Sequence, residues 1–458
     1  MIRHMVVALA FAFLFCPPAL ADSSRILNVQ KLTTPKGIEI WLVADKTVPV
    51  ISMSFSFDGG LVYEPEDLPG VGRLTSLLLD EGADKMTSQE FQAQLSNNAI
   101  QMNFTAARDS FNGQLKTLKS NKVLAFDLLS LALNKPRFDG DAIERMRNAN
   151  ISQIKEDMED QSWLVARTYN GMVFEGSHYA MPGLGTLAGM ARITRNDLLS
   201  FVHAQFARDV LKVAIAGDIT PDEAVKAVDA VFGVLPEHAE KKNGQEVVLK
   251  YPGKTILLPL DTPQTYMSVG EAGVKRSDKD WHAAVIVNYI LGGGSFDSRL
   301  MKEIREKRGL TYGVFTSLAS MKYAALLQAN LSGSNEKVEE ALKLLKQEWA
   351  KMAKNGPTDQ EVQDAKSYLT GSLLLELTST DDISSTLNSL QRDGLDFDYI
   401  NQRNATINAV TTADVRRVSE RLLKPENLTT ALVGHPTNIT ADMMLDHPVG
   451  MTMPQQKQ

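Results

Sequence analysis

Residues 193–217 recur at 410–434 without a gap. The first copy begins Ile-Thr-Arg-Asn-Asp and ends Leu-Lys-Val-Ala-Ile-Ala-Gly; the second begins Val-Thr-Thr-Ala-Asp and ends Leu-Thr-Thr-Ala-Leu-Val-Gly. Thr194 matches Thr411, Asp197 matches Asp414 and Gly217 matches Gly434. Each copy reads as a helix whose N-cap Thr has Asp three residues later, running into a buried strand at 213–216 or 431–433. A spacing this long excludes a solenoid and points to two homologous domains, about 27–236 and 253–440. The segment 237–252 between them is a linker, charged and without apolar periodicity over 237–246, and 441–458 reads as a flexible tail. In each copy alternating strands such as 38–42 and 50–57 come first, helices follow, and a strand closes the domain. That order predicts an α+β fold, with helices on one face of a mainly antiparallel sheet.

The first residues, Met-Ile-Arg-His, precede an apolar run over 5–15, and Ala19-Leu20-Ala21 follows. This pattern predicts a signal peptide over 1–21 and an exported protein, most simply in a bacterial periplasm. The apolar run is too short to span a bilayer. Cys16, the only cysteine, leaves with that leader, which excludes disulfides and thiolate metal ligands from the mature chain. The fold must rest on ordinary apolar cores, and the length allows two. The chain carries 48 basic and 55 acidic side chains, a net charge of −7. It has no Lys/Arg-rich run, so nucleic acid is set aside as a partner.

A second pattern lies at 291–316: Leu-Gly-Gly-Gly-Ser-Phe-Asp-Ser-Arg-Leu-Met-Lys-Glu-Ile-Arg-Glu-Lys-Arg-Gly-Leu-Thr-Tyr-Gly-Val-Phe-Thr. The glycines at 292–294 read as a tight turn, since no basic residue follows at phosphate-loop spacing and 281–291 reads as helical. Phe296, Leu300 and Ile304 then fall on one face of a predicted helix that Gly309 ends as its C′ residue. Arg305 and Tyr312 stand seven residues apart across that stop. Taken alone, Arg305 is a surface charge and Tyr312 a packing residue. The whole run, however, resembles the second-domain signature of the pitrilysin/insulysin family of zinc metallopeptidases, in its mitochondrial-processing-peptidase-like branch. The resemblance covers nearly the whole mature chain. It implies two α/β-roll domains facing each other as half of a clamshell, and it implies that Arg305 and Tyr312 grip a substrate backbone. A Tyr hydroxyl can donate to an oxyanion, and Arg adds a fixed cationic donor.

Active members of that family carry H-x-x-E-H on a first-domain helix, two His binding zinc and Glu serving as general base. The matching context here is Gly70-Val-Gly-Arg-Leu-Thr-Ser-Leu-Leu-Leu-Asp-Glu-Gly82. It puts Arg73 and Leu77 at the His positions and Ser76 at the base, while the third ligand falls near Gln153. Arg is always protonated and Leu has no donor atom, so no metal is expected in this chain and zinc is expected in a partner. None of the seven histidines pairs with another at helical spacing. His178 reads as a loop or packing residue, and Asp157, Glu159 and Asp160 as a solvated helix face. The strand around Asn103, Phe104 and Thr105 is similar to the family's open edge, which pairs with substrate main chain; without the resemblance it is an ordinary sheet strand. The expectation is a substrate-binding subunit, inactive alone, of a heteromeric metallopeptidase that acts on unfolded peptide beside a sister chain carrying H-x-x-E-H. The alternative is a structural or peptide-holding protein like the inactive core subunits of respiratory complexes.

Overall fold

A computed structural model describes residues 25–240 and 244–450. The predicted leader, including Cys16, lies outside them. Six strands form the first sheet: β1 (Gln30–Thr33), β2 (Glu39–Ala44), β3 (Val50–Asp58), β4 (Gln101–Ala106), β5 (Ser110–Leu118) and β6 (Leu211–Gly217). Their spatial order is β1-β2-β6-β3-β5-β4. The second sheet holds β7 (Thr255–Pro259), β8 (Gln264–Ala272), β9 (Val314–Ser320), β10 (Ala325–Ser334), β11 (Thr429–Gly434) and β12 (Met443–Met444), ordered β12-β7-β11-β8-β10-β9. The two sheets share one topology over five strands and differ at the outer edge, where β1 pairs antiparallel with β2 but β12 pairs parallel with β7. Each has a single parallel pair in its interior, β2 with β6 and β7 with β11, and an antiparallel run out to a free edge at β4 or β9.

The repeated segment occupies the same place in both halves. Helices Arg195–Gln205 and Thr412–Leu422 each start in a reciprocal cap, with Thr194 and Thr411 accepting from the Asp197 and Asp414 amides while the Asp carboxylates accept from the Thr amides. Each helix feeds the strand that closes its sheet. Those strands end at Gly217 and Gly434, with φ of +127° and +143°. A Cβ on Gly217 would lie 2.1 Å from the Val50 carbonyl oxygen, so both the dihedral and the close approach require glycine.

One face of each sheet is covered by helices of its own half. Phe55, Phe57, Phe111, Phe206 and Phe232 fill the first core, where Phe57 stacks on Phe206 at 4.5 Å. Trp349, Leu345, Met352, Leu300 and Ile304 are fully buried in the second. The opposite faces are covered too, which the sequence pattern did not predict. Helix Gln161–Val173 of the first half lays Leu164, Val165 and Tyr169 on Leu258, Ala431 and Val433 of the second sheet. Helix Thr380–Arg392 of the second half crosses to β3 and β6, with Leu387 and Leu390 against Trp41, Val43, Ala214 and Ala216. Its other flank is polar: Ser384 bonds Ser54 at 2.9 Å, and Gln391 donates to the Val213 carbonyl at 3.1 Å. Exchange of one helix each way ties the halves together by burying apolar surface on both sides.

The segment expected as a loose tail lies along the second sheet as far as residue 450. Met443 and Met444 pair in parallel with β7, the Leu445 amide donates to the Leu257 carbonyl at 2.9 Å, and Arg167 donates to the Val449 carbonyl. No described helix is long and apolar enough to cross a membrane.

Candidate functional site

The motif glycines start a short helix, Val71–Ser76. Glu64, buried beneath it, accepts from the amides of Gly70 at 3.0 Å and Gly72 at 2.7 Å. Burial with no cation beside it raises the Glu64 carboxyl to about 7. Arg73 is half-buried, and its Nε donates to Asn150 Oδ1 at 3.2 Å. Ser76 is buried and donates back to the Arg73 carbonyl at 2.8 Å, an ordinary helical side-chain bond. Leu77 caps the helix through its own amide, bonded to the Arg73 carbonyl at 3.2 Å.

Gln153 does not join this group by contact. It sits exposed on helix Gly140–Asp157 and donates to Asp157 at 2.8 Å. The residue facing Arg73 is Asn150, one turn earlier, which also donates to the Leu184 carbonyl at 2.9 Å. Sequence reasoning missed Asn150 because its signal was faint, an amide among other polar residues of an amphipathic helix. Asp160 caps helix Gln161–Val173 by accepting from the Trp163 amide, and His178 lies in the short turn His178–Ala180. Among the described residues no group of three or more His, Cys, Asp or Glu side chains is placed to hold a metal.

The donor set therefore does not fit zinc. A guanidinium bonded to an amide, a hydroxyl spent on a backbone carbonyl, an alkyl chain and a solvent-facing amide offer neither neutral imidazole nor carboxylate. We expect the purified chain to hold no stoichiometric zinc and to cleave no peptide. Elemental analysis giving about one zinc per chain, lost on substitution at these positions, would overturn this.

The second half holds the other pair. Arg305 and Tyr312 line one cleft of about 470 Å³, with Gln264, Thr311, Ser332 and Lys337 around them. All of its lining comes from the second half. Gly309 ends the preceding helix as expected, with φ +59° and its amide bonded to the Arg305 carbonyl at 2.9 Å. Three details correct the sequence reading. Phe296 does not share the buried face of Leu300 and Ile304; it is 56% exposed and lies under the Arg305 guanidinium at 4.8 Å, a cation–π contact. Tyr312 is 85% exposed rather than buried. The glycines at 292–294 end a helical run rather than making a positive-φ turn: a Cβ on Gly292 would meet Thr316 of β9 at 2.6 Å, and the Gly294 amide bonds the Tyr289 carbonyl.

Strand β4 forms the free edge of the first sheet, pairing with β5 alone. Asn103 and Thr105 are exposed on one face, while Phe104 is 4% exposed and packs edge-on to Phe55 in the core. Phe104 thus anchors the strand, and only its neighbours can meet a ligand by side chain. Asn103 and Thr105 line a polar cavity of about 270 Å³ that Asn388 and Arg392 close from the crossing helix.

Two family models match the chain: one described as insulinase (peptidase family M16) over residues 40–183, and one described as peptidase M16 inactive domain over residues 192–369. The chain is 26% identical over 347 residues to the non-peptidase homolog YmxG of Helicobacter pylori, covering 75% of this chain and 78% of that one. It is 26% identical over 405 residues to an uncharacterized zinc protease of Streptomyces coelicolor, covering 86% and 87%. A crystal structure titled as a peptidase M16 inactive domain from Pseudomonas fluorescens aligns with a TM-score of 0.84 at 26% identity, over 90% of this chain and 98% of that one. A protease from Helicobacter pylori aligns with a TM-score of 0.79 at 17% identity, over 89% and 100%, and shows the shared fold alone.

Proposed function

Since this chain belongs to the M16 peptidase family as a non-catalytic member, we propose that it is the substrate-binding subunit of an exported heteromeric zinc metallopeptidase. A sister chain would carry the H-x-x-E-H site. One observation carries this reading. The Arg305/Tyr312 cleft is lined wholly by the second half, and the Val71–Ser76 helix supplies nothing to it. Tyr312 is exposed and Arg305 half-buried at the cleft wall, where both can meet a group that another chain brings. Among the described residues of this chain there is no metal-holding group for the pair to serve.

The roles then divide by chemistry. Tyr312 donates through its hydroxyl to the carbonyl under attack, where negative charge develops. Arg305, braced on Phe296, holds the peptide in alignment. Strand β4 lends its unpaired main-chain edge to an extended peptide, an affinity that tolerates many sequences. The basic and apolar leader at 1–21 supports export, with the periplasm as the compartment.

Co-expression tests this directly. With a sister chain containing H-x-x-E-H, the two should co-elute and cleave an unfolded peptide at a rate neither reaches alone. A sister fully active by itself that fails to co-elute would sink the subunit reading and leave a peptide-holding protein.

A further inference from the structure

We propose that Arg392 selects the peptide lying along β4 for a carboxylate. The inference rests on the peptide-binding reading of that edge and adds what the edge prefers. It begins from the sheet register. Ser54 stands opposite Gln114 and Gln114 opposite Asn103; Ser56 stands opposite Asn112 and Asn112 opposite Thr105. Two polar rows thus run across β3, β5 and β4 on one face and stop at the free edge. A strand added beside β4 would extend both rows by one side chain, about 4.8 Å beyond Asn103 or Thr105.

The second row carries the charge. Arg392 donates from Nη1 to Ser110 Oγ at 3.0 Å and to Asn112 Oδ1 at 3.3 Å, both neutral acceptors. Among the described residues no carboxylate lies within ion-pair distance of it. The adjacent Asp393 is ion-paired with Arg276 at 3.5 Å and also feels the charge of Arg392 without touching it. A guanidinium has five donors, and two contacts from one nitrogen leave most of them for a ligand. Among the described residues Arg392 is the only charged one lining the cavity that Asn103 and Thr105 share, although it also borders a neighbouring cleft that holds Asp58, Asp109 and Asp393. An added strand's side chain opposite Thr105 lies about 10 Å from Asn112 across the row, a gap that an Arg and a Glu side chain close together. Amides and hydroxyls along the row accept or donate to any neutral side chain, so neutral residues are tolerated. A carboxylate gains a charge-assisted bond, and a lysine is repelled. The same geometry would receive the terminal carboxylate of a peptide that ends there.

The test uses the full mature chain and fluorescence anisotropy with acetylated, amidated heptapeptides of strand-forming sequence. One position is scanned as Glu, Gln or Lys, and a Gln peptide with a free C-terminal carboxylate forms a fourth arm. The Glu peptide should bind about tenfold tighter than Gln, the range a charge-assisted hydrogen bond gives, and Lys weaker than both. Arg392→Gln should make Glu and Gln equal. Arg392→Lys should keep part of the preference and, with a melting curve, controls for folding. If only the free-acid Gln peptide gains, the terminal carboxylate is the ligand. A Glu preference that is absent, or that survives Arg392→Gln while peptides still bind, would overturn the proposal and leave the edge reading standing. If no peptide binds, or if N-methylation of the peptide backbone leaves binding unchanged, the edge reading fails and this inference fails with it.

Discussion

Tyr312→Phe is expected to slow peptide cleavage by the proposed complex about 100-fold, as loss of one oxyanion donor does elsewhere, with no change in the melting temperature of this chain. The substitution removes one hydroxyl and keeps the ring. That ring is 85% exposed and belongs to none of the apolar cores, so the fold does not depend on it. Arg305→Ala should also lower activity, chiefly by loosening alignment of the peptide. It should leave the core intact, since the guanidinium rests on the exposed Phe296 rather than on buried residues. Steady-state kinetics and melting curves on the same samples separate the two effects. Unchanged turnover in both variants, with the complex intact, would remove the cleft from the function. A drop in melting temperature for Tyr312→Phe would show a packing role in place of a chemical one.

What the sequence disclosed, it disclosed through local rules. The Thr194/Asp197 and Thr411/Asp414 caps need only three residues of spacing, and the closing glycines Gly217 and Gly434 need only a dihedral that other residues avoid. Such features repeat wherever the domain repeats, so the duplication was visible before any contact was known. The exchange of helices was not. Nothing in Gln161–Val173 or Thr380–Arg392 marks which sheet each will cover, because an amphipathic stripe records that a face is buried and not what buries it. The site shows the same division. That Arg73 and Leu77 offer zinc no ligand atom could be read from residue type alone. The Arg73–Asn150 bond could not, because it joins helices 77 residues apart. Tyr312 was read as buried for a related reason. Taken alone it is a packing residue, but the side chain stands in the bend before β9, outside any strand whose alternation would bury it. Arg392 escaped notice altogether; as the last residue of a crossing helix it gains a role only from the sheet beneath it.

The chain should be more stable near pH 5 than at pH 8. Glu271 on β8 is 5% exposed; it accepts from Trp349 Nε1 at 2.6 Å and from the Lys424 amide at 2.9 Å, and burial raises its carboxyl from 4.5 to about 7. Glu64 is raised to about 7 by burial as well, and Asp80 to about 6. A raised carboxyl means that the folded chain binds more protons than the unfolded chain between the two values. Stability therefore falls as pH climbs from about 4.5 through about 7 and is flat above that. For Glu271 the full cost is up to about 3 kcal/mol. An opposing set governs acid. Asp280, held by Arg417 and Arg421, and Glu361, paired with Arg299 and accepting from the Thr358 amide, are drawn down to about 2. Their contribution is present above about 4 and is lost as pH falls toward 2, so the maximum lies near pH 5. Glu271→Gln isolates the first effect, because its amide oxygen can keep both bonds now made to Oε1. Urea unfolding should find that variant close to wild type at pH 5 and more stable by as much as about 3 kcal/mol at pH 8. Equal pH slopes for the two proteins would show that Glu271 stays ionised in its site, with a bound counter-charge or water offsetting its burial.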